Sequence, residues 1–429
     1  TMPSDVITKN NQKNYLVPLI IMAALFFIFG FVTWANSTLI PYLQLACELK
    51  TSEAVLVTFA FYISYAVMAF PSSWVLKKVG FKKGMVLGLF VMAIGALIFI
   101  PAANARSFQL FLVGLFIIGT GLALLQTASN PYITILGPIE SAAKRISIMG
   151  VCNKLAGAMA PLILGFIVLQ DSGKIESTIA SLSGVEKSAY LDDLASKVIA
   201  PYVGIAIVLV ILAFLINLSS LPEIKAEGEE IAENEVDTNR SSIFSYPYLW
   251  LGFITIFMYV GVEVMAGDII QIYGKEIGIP LEEAKHFTTY TMIGMLAGYI
   301  IGIITIPKIL SQTKALVISA VLGLIFSVAA IYTSGITSIL FIALLGFANA
   351  LIWPAVWPLT IEGLGKFTKT GSALLIVGIA GGVIIPKIWA TIGEKIGMQP
   401  AFWIMVPCYA FILFFALKGH KMGKAVKAA

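Results

Sequence analysis

The stretch Pro222 to Ser245, PEIKAEGEEIAENEVDTNRSSIFS, is the most acidic and least apolar segment of a chain of 429 residues, and its flanks decide the fold. Ahead of it, apolar runs fall at about 17–43, 53–76, 84–102, 108–136, 146–169 and 200–220. After it, they fall at about 248–273, 287–306, 314–333, 336–362, 371–393 and 401–417. Each is close to the roughly 20 residues a helix needs to cross a hydrocarbon core. The polar stretch therefore divides twelve expected transmembrane helices six and six. It reads as a linker at 221–246 between helical bundles at 17–220 and 247–418, with polar tails at 1–16 and 419–429. The expected fold class is an all-α membrane protein of two pseudo-symmetric six-helix bundles.

Composition agrees. Hydrophobic residues make up 59% of the chain and charged residues 12%, with a mean hydropathy of +0.94. A soluble globule cannot hide so much apolar surface, so most of it faces lipid. The first apolar run is long and lacks a small-residue cleavage site, so it reads as a span and not as a cleaved leader. Cys47, Cys152 and Cys408 lie far apart with no CxxC, and His286 and His420 are the only histidines. Neither a metal site nor a cofactor is expected. The net charge of +5 is spread in pairs between spans, which argues against nucleic acid. With a cytoplasmic N-terminus, the inside segments hold 18 Lys and Arg and the outside loops eight, while Lys154 and Lys387 fall within spans. That asymmetry places both termini in the cytoplasm of a cell with the chain in its inner membrane.

A repeat supports two related halves. Gly119, Gln126, Asn130 and Pro131 of span four precede Gly346, Trp353, Trp357 and Pro358 of span ten by 227 residues each.

The run GLALLQTASNPYITILGP (Gly121 to Pro138), followed by KRISIMGVCNKLAG (Lys144 to Gly157), resembles the fucose permease family of the major facilitator superfamily. So do LFFIFGFVTWANSTLIPYLQ (Leu25 to Gln44), YVGVEV (Tyr259 to Val264) and KTGSALLIVGIAGGVIIP (Lys369 to Pro386). The resemblance implies the major facilitator fold, alternating access, and symport of a hexose or deoxyhexose with a cation. It also implies an Asp in span one and a Glu in span four for proton or sugar handling, where this chain has Ser37 and Gln126. Neither residue can cycle a proton near neutral pH, so that proton route does not carry over. The expected partners are a small sugar, a proton or sodium ion, and membrane lipids, with a monomer as the working unit.

Ionisable groups inside the hydrocarbon core cost a few kcal/mol each and mark function by default. Lys154 lies about ten residues, or roughly 15 Å, into span five, too deep for easy snorkelling. Glu263 lies near the middle of span seven and is its acidic counterpart. These two, with Asp268, are the candidate coupling residues. Two readings of the pair stand open: a switch that exchanges Glu263 between Lys154, a cation and sugar hydroxyls, or a static bridge between the halves. Asp268 is either a site residue or an interfacial, solvated carboxylate, and Lys387 is expected to snorkel outward.

A sugar needs paired donors and acceptors plus an aromatic platform. Span four offers Gln126 and Asn130 on one face, and span ten offers Asn349, Trp353 and Trp357 at four-residue steps. Asn36, Asn153 and Gln271 are weaker substrate candidates that equally suit helix contacts. The tryptophans equally suit lipid packing, and Asn130 equally suits satisfying carbonyls freed by Pro131. For sodium, Ser37 and Gln126 with Glu263 supply oxygen ligands. An uncoupled facilitator or a non-transporting sensor remain as alternatives. No nucleophile motif, metal ligand set or nucleotide loop points to an enzyme.

Overall fold

The computed structural model describes residues 16–135, 142–219, 221, 242–306, 309–361, 364 and 367–423. The linker at 222–241 and both tail ends lie outside them. Twelve helices among the described residues are long and apolar enough to span a membrane. Spans one to six are Val17–Ala46, Thr51–Leu76, Phe81–Asn104, Phe108–Ser129, Ile148–Val168 and Gly184–Leu218. Spans seven to twelve are Pro247–Gly267, Leu281–Thr305, Gln312–Tyr332, Gly335–Ile361, Leu374–Ile396 and Pro400–Leu417. Large apolar side chains such as Phe166, Leu218 and Ile304 stay exposed on the outer surface, as lipid contact requires.

The structure adds detail that apolar run length does not carry. A short helix, Ser172–Ser181, fills the connection between spans five and six, and span six itself is made of two helices, Gly184–Ser196 and Ile199–Leu218. Span one is split at Ala35 into Leu16–Trp34 and Asn36–Ala46, and span seven gives way after Gly267 to a short helix, Ile270–Glu276. At that second break the amide of Ile269 reaches back to the Val264 carbonyl, one residue further than an α-helix allows. The widened turn releases the carbonyls of Ala266 and Gly267, which accept instead from the hydroxyls of Thr291 and Thr288 in span eight, each at 2.7 Å.

Glycine sets the spacing within each half, and it does so in matched pairs. A Cβ at Gly30 in span one would run into the Asn153 backbone of span five, and one at Gly381 in span eleven would run into the Phe257 backbone of span seven. A Cβ at Gly119 would strike span two at Phe61 and Ser64, and one at Gly346 would strike span eight at Thr291. Gly119 and Gly346 are the repeat-related pair, so the two bundles share a plan of close helix approach at this position.

The halves meet along three seams. Span one meets span seven, where Gly267 lies under the Trp34 ring. Span two meets span eleven, where Gly382 faces Tyr62, and span five meets span eight, where the Thr289 hydroxyl donates to the Ala158 carbonyl at 2.9 Å. The second and third seams exchange under a two-fold relation of the bundles. On the face opposite the termini, polar contacts bridge the halves. Thr51 bonds Glu276, the Ser52 amide donates to Glu394 at 3.0 Å, and Lys387 Nζ donates to the Ser52 carbonyl at 2.5 Å. Lys275 pairs with Glu176 at 3.4 Å and Ser172 donates to Glu282 at 2.8 Å. Lys387 therefore does more than snorkel, because it ties span eleven to the start of span two.

The paired glycines yield a test. Gly119→Ala and Gly346→Ala should each destabilise the protein by about 1–3 kcal/mol through overpacking. Gly204→Ala, where no atom lies within 4 Å, should leave thermal unfolding in detergent unchanged.

Candidate functional site

The polar residues of the spans come together at the seam between the halves. Lys154 Nζ donates to Glu263 Oε1 at 3.0 Å, joining span five to span seven, and the two side chains are 9% and 14% exposed. The same ammonium sits 4.7 Å from the centre of the Trp34 ring in span one, a cation–π distance. Removing one partner of so enclosed a pair strands the other, at a cost of about 3–5 kcal/mol.

An aromatic wall continues from this pair into the second half. Tyr259 lies one turn before Glu263 on span seven, on the same helix face, and is buried. The Tyr259 ring packs against Trp353 with centroids 6.3 Å apart, and Trp353 stacks on Trp357 at 5.3 Å and 26°. Both tryptophans stay partly open. Flat rings that are half covered offer a face to the C–H side of a small polyol.

The opposite wall is hydroxylic. Gln126 Nε2 donates to the Tyr65 hydroxyl at 3.3 Å, Tyr65 lies 6.3 Å from Tyr62, and the Tyr62 hydroxyl donates to Asp268 Oδ2 at 3.1 Å. Three groups of contacts thus involve spans two, four, five, seven and ten: Gln126–Tyr65–Tyr62–Asp268, Lys154–Glu263, and Tyr259–Trp353–Trp357. Their geometry suits binding and reorienting a neutral hydroxylated molecule beside a charge pair.

Asp268 joins these contacts through Tyr62, whereas several other candidates do not. Asp268 is fully buried, so the solvated interfacial reading is wrong, because the broken end of span seven holds it against span two. Asn349 accepts from the Tyr409 hydroxyl at 2.8 Å and thus faces span twelve. The turn at 350–351 breaks the four-residue step that was to align it with Trp353 and Trp357. Asn153 donates to the Phe26 carbonyl at 3.3 Å, a helix contact between spans five and one. Asn36 is buried, and its Nδ2 meets no partner among the described residues. Gln271 is buried and donates to Ser37, Thr38 and Thr288. Ser37 and Gln126 do not gather around Glu263, since one bonds Gln271 and the other Tyr65, so that proposed sodium set is not assembled. The Asn130 side chain lies outside the described residues. The sequence reading missed Trp34, Tyr62, Tyr65 and Tyr259. Their signal was the recurrence of Tyr at three- and four-residue steps beside Glu263 and in span two.

Comparison with known proteins follows the same lines. The chain is 32% identical over 415 residues to a glucose/galactose transporter of Brucella abortus (strain 2308), covering 96% of each chain. It is 28% identical over 411 residues to an L-fucose-proton symporter of Escherichia coli (strain K12), covering 94% of this chain and 93% of that one. It superposes on a crystal structure of the transporter FucP in the outward conformation with a TM-score of 0.71 and 27% identity, covering 94% of this chain and 99% of that one. The family model for the Major Facilitator Superfamily matches residues 22–386. On both the fold and this match, the chain belongs to the major facilitator superfamily, a family of membrane transporters and not of enzymes.

Proposed function

We propose that this protein imports a hexose or deoxyhexose across a bacterial inner membrane by alternating access, driven by a cation gradient. The relatives named for glucose, galactose and L-fucose support the substrate class. The observation that carries the mechanism is the enclosed Lys154–Glu263 pair, which crosses between the halves and adjoins an aromatic wall. Both termini lie in the cytoplasm on this reading, and the polar bridges at Ser52, Glu276 and Glu394 form the outer gate.

The chemistry follows from the residues. Trp353 and Trp357 stack on the apolar face of the pyranose, while Gln126 and the tyrosine hydroxyls exchange hydrogen bonds with its hydroxyls. Sugar hydroxyls that reach Glu263 compete with Lys154 for the carboxylate and loosen the tie between spans five and seven. Sugar binding then weakens a contact that holds one arrangement of the halves. Ser37 and Gln126 cannot titrate, so coupling rests with the buried carboxylates. Net import requires that the empty and doubly loaded forms reorient more readily than the singly loaded one.

Two substitutions test this. Glu263→Gln should give folded protein that exchanges labelled sugar across proteoliposomes but no longer accumulates it against a gradient. A merely static bridge predicts that the Glu263→Gln protein that does fold still accumulates sugar against a gradient, whatever stability it has lost. Trp353→Ala should raise the KM for sugar about tenfold, the equivalent of ~1.4 kcal/mol, with kcat little changed. A ring that only packs on a neighbour predicts an unchanged KM.

A further inference from the structure

Two fully buried oxygens at the broken end of span seven meet no donor among the described residues. Asp268 has no exposed surface; Tyr62 serves its Oδ2, and Oδ1 meets no donor among the described residues. Gln271 is equally buried, and its Oε1 also meets none.

The orientation of the Gln271 amide is fixed by its neighbours. Its Nε2 faces Ser37 Oγ at 3.2 Å, Thr288 Oγ1 at 3.1 Å and Thr38 Oγ1 at 3.4 Å. The Ser37 hydroxyl already gives its proton to the Trp34 carbonyl, and the Thr288 hydroxyl gives its proton to the Gly267 carbonyl, both at 2.7 Å. They have only lone pairs left for Gln271. Turning the amide over would set oxygen against oxygen, so Oε1 is held as a bare acceptor. Asp268 and Ile269 keep helical dihedrals through the break, which puts residues 268 and 271 on one face of the chain.

The donor set defines the occupant. On the span-seven side both unpartnered atoms, Asp268 Oδ1 and Gln271 Oε1, are oxygens, and Pro41 leaves the Ser37 carbonyl without its amide partner four residues on. Such oxygens suit a hard cation, and broken membrane helices present carbonyls to ions in this way. Lys154 is engaged with Glu263 at 3.0 Å. Asp268 supplies one negative charge, which a monovalent ion balances and a divalent ion exceeds.

We propose that Asp268 and Gln271, with the span-one oxygens at Ser37, form a sodium site separate from the Lys154–Glu263 pair. The site rests on the reading of the chain as a cation-coupled carrier and names its ion. Spans one and two face spans seven and eight across it, so an ion there draws the two halves together. Ion binding and sugar sensing then belong to different carboxylates, Asp268 and Glu263.

The test is thermal unfolding of the full chain in detergent, without sugar, titrated with NaCl against choline chloride at constant ionic strength, with KCl in parallel. The wild type should gain stability saturably with sodium and not with choline or potassium. Asp268→Asn should abolish the gain, and Gln271→Ala should move it to about tenfold higher sodium or more. A wild-type curve flat in sodium, or an equal response to potassium, overturns the site even if both variants fail to fold. So does an Asp268→Asn protein that keeps the full response. If sodium is inert while a proton gradient drives sugar uptake in proteoliposomes, this site falls and the proposed function stands. Absence of any sugar counterflow would remove that function whatever the titration shows.

Discussion

The structure turns on one electrostatic constraint: a charge far from water must have a partner, and here the partners come from different halves of the molecule. Lys154 of span five and Glu263 of span seven meet at 3.0 Å with little surface exposed. Neither bundle could carry its own charge comfortably without the other. The indole of Trp34 adds a second stabilising face to the ammonium at 4.7 Å. An attraction of this kind is strong in a low dielectric and weakens as soon as hydroxyls or water arrive. The seam is thus held by an interaction that a polar ligand is well suited to disturb.

Around that pair the halves share a scaffold and differ in chemistry. Gly119 and Gly346 occupy the same place in the repeat and make the same close approach, to span two and to span eight. About two turns along the same helices, Gln126 of one half holds the place that Trp353 holds in the other, so an amide answers to an aromatic ring. Duplication fixes the framework because backbone packing tolerates little change. The side chains that reach the seam are free to diverge, and an asymmetric ligand needs them to.

The number of spans and the place of the linker were legible because lipid leaves only helices of a set length. Lys154 and Glu263 were legible for a related reason, since a charge in a run of twenty apolar residues stands out. Asp268 was only half legible: its distance along span seven suggested the water boundary, whereas the widened turn at Val264 to Ile269 folds it inward. Asn349 was misaligned because a turn at 350–351 interrupts a pattern that residue spacing treats as continuous. The tyrosines escaped notice because in an apolar run they look like interface residues, and only the rotation of each helix reveals what their hydroxyls touch. That rotation is set by glycine contacts between helices distant in sequence, which no local pattern encodes.

The bridges on the face opposite the termini carry a further implication. Glu276, Glu394 and Glu282 are exposed, so each bridge to Thr51, Ser52 or Ser172 is made at the edge of water. Each is a hydrogen bond from a neutral hydroxyl or amide to a carboxylate, and bonds of this sort contribute about 0.5–3 kcal/mol each when water competes for both partners. The clasp is therefore a set of weak fasteners that can let go one at a time, and no single one of them dictates when the mouth of the carrier parts. Parting the mouth then asks for several small losses in turn, each made good by water, at some distance from where the cargo sits.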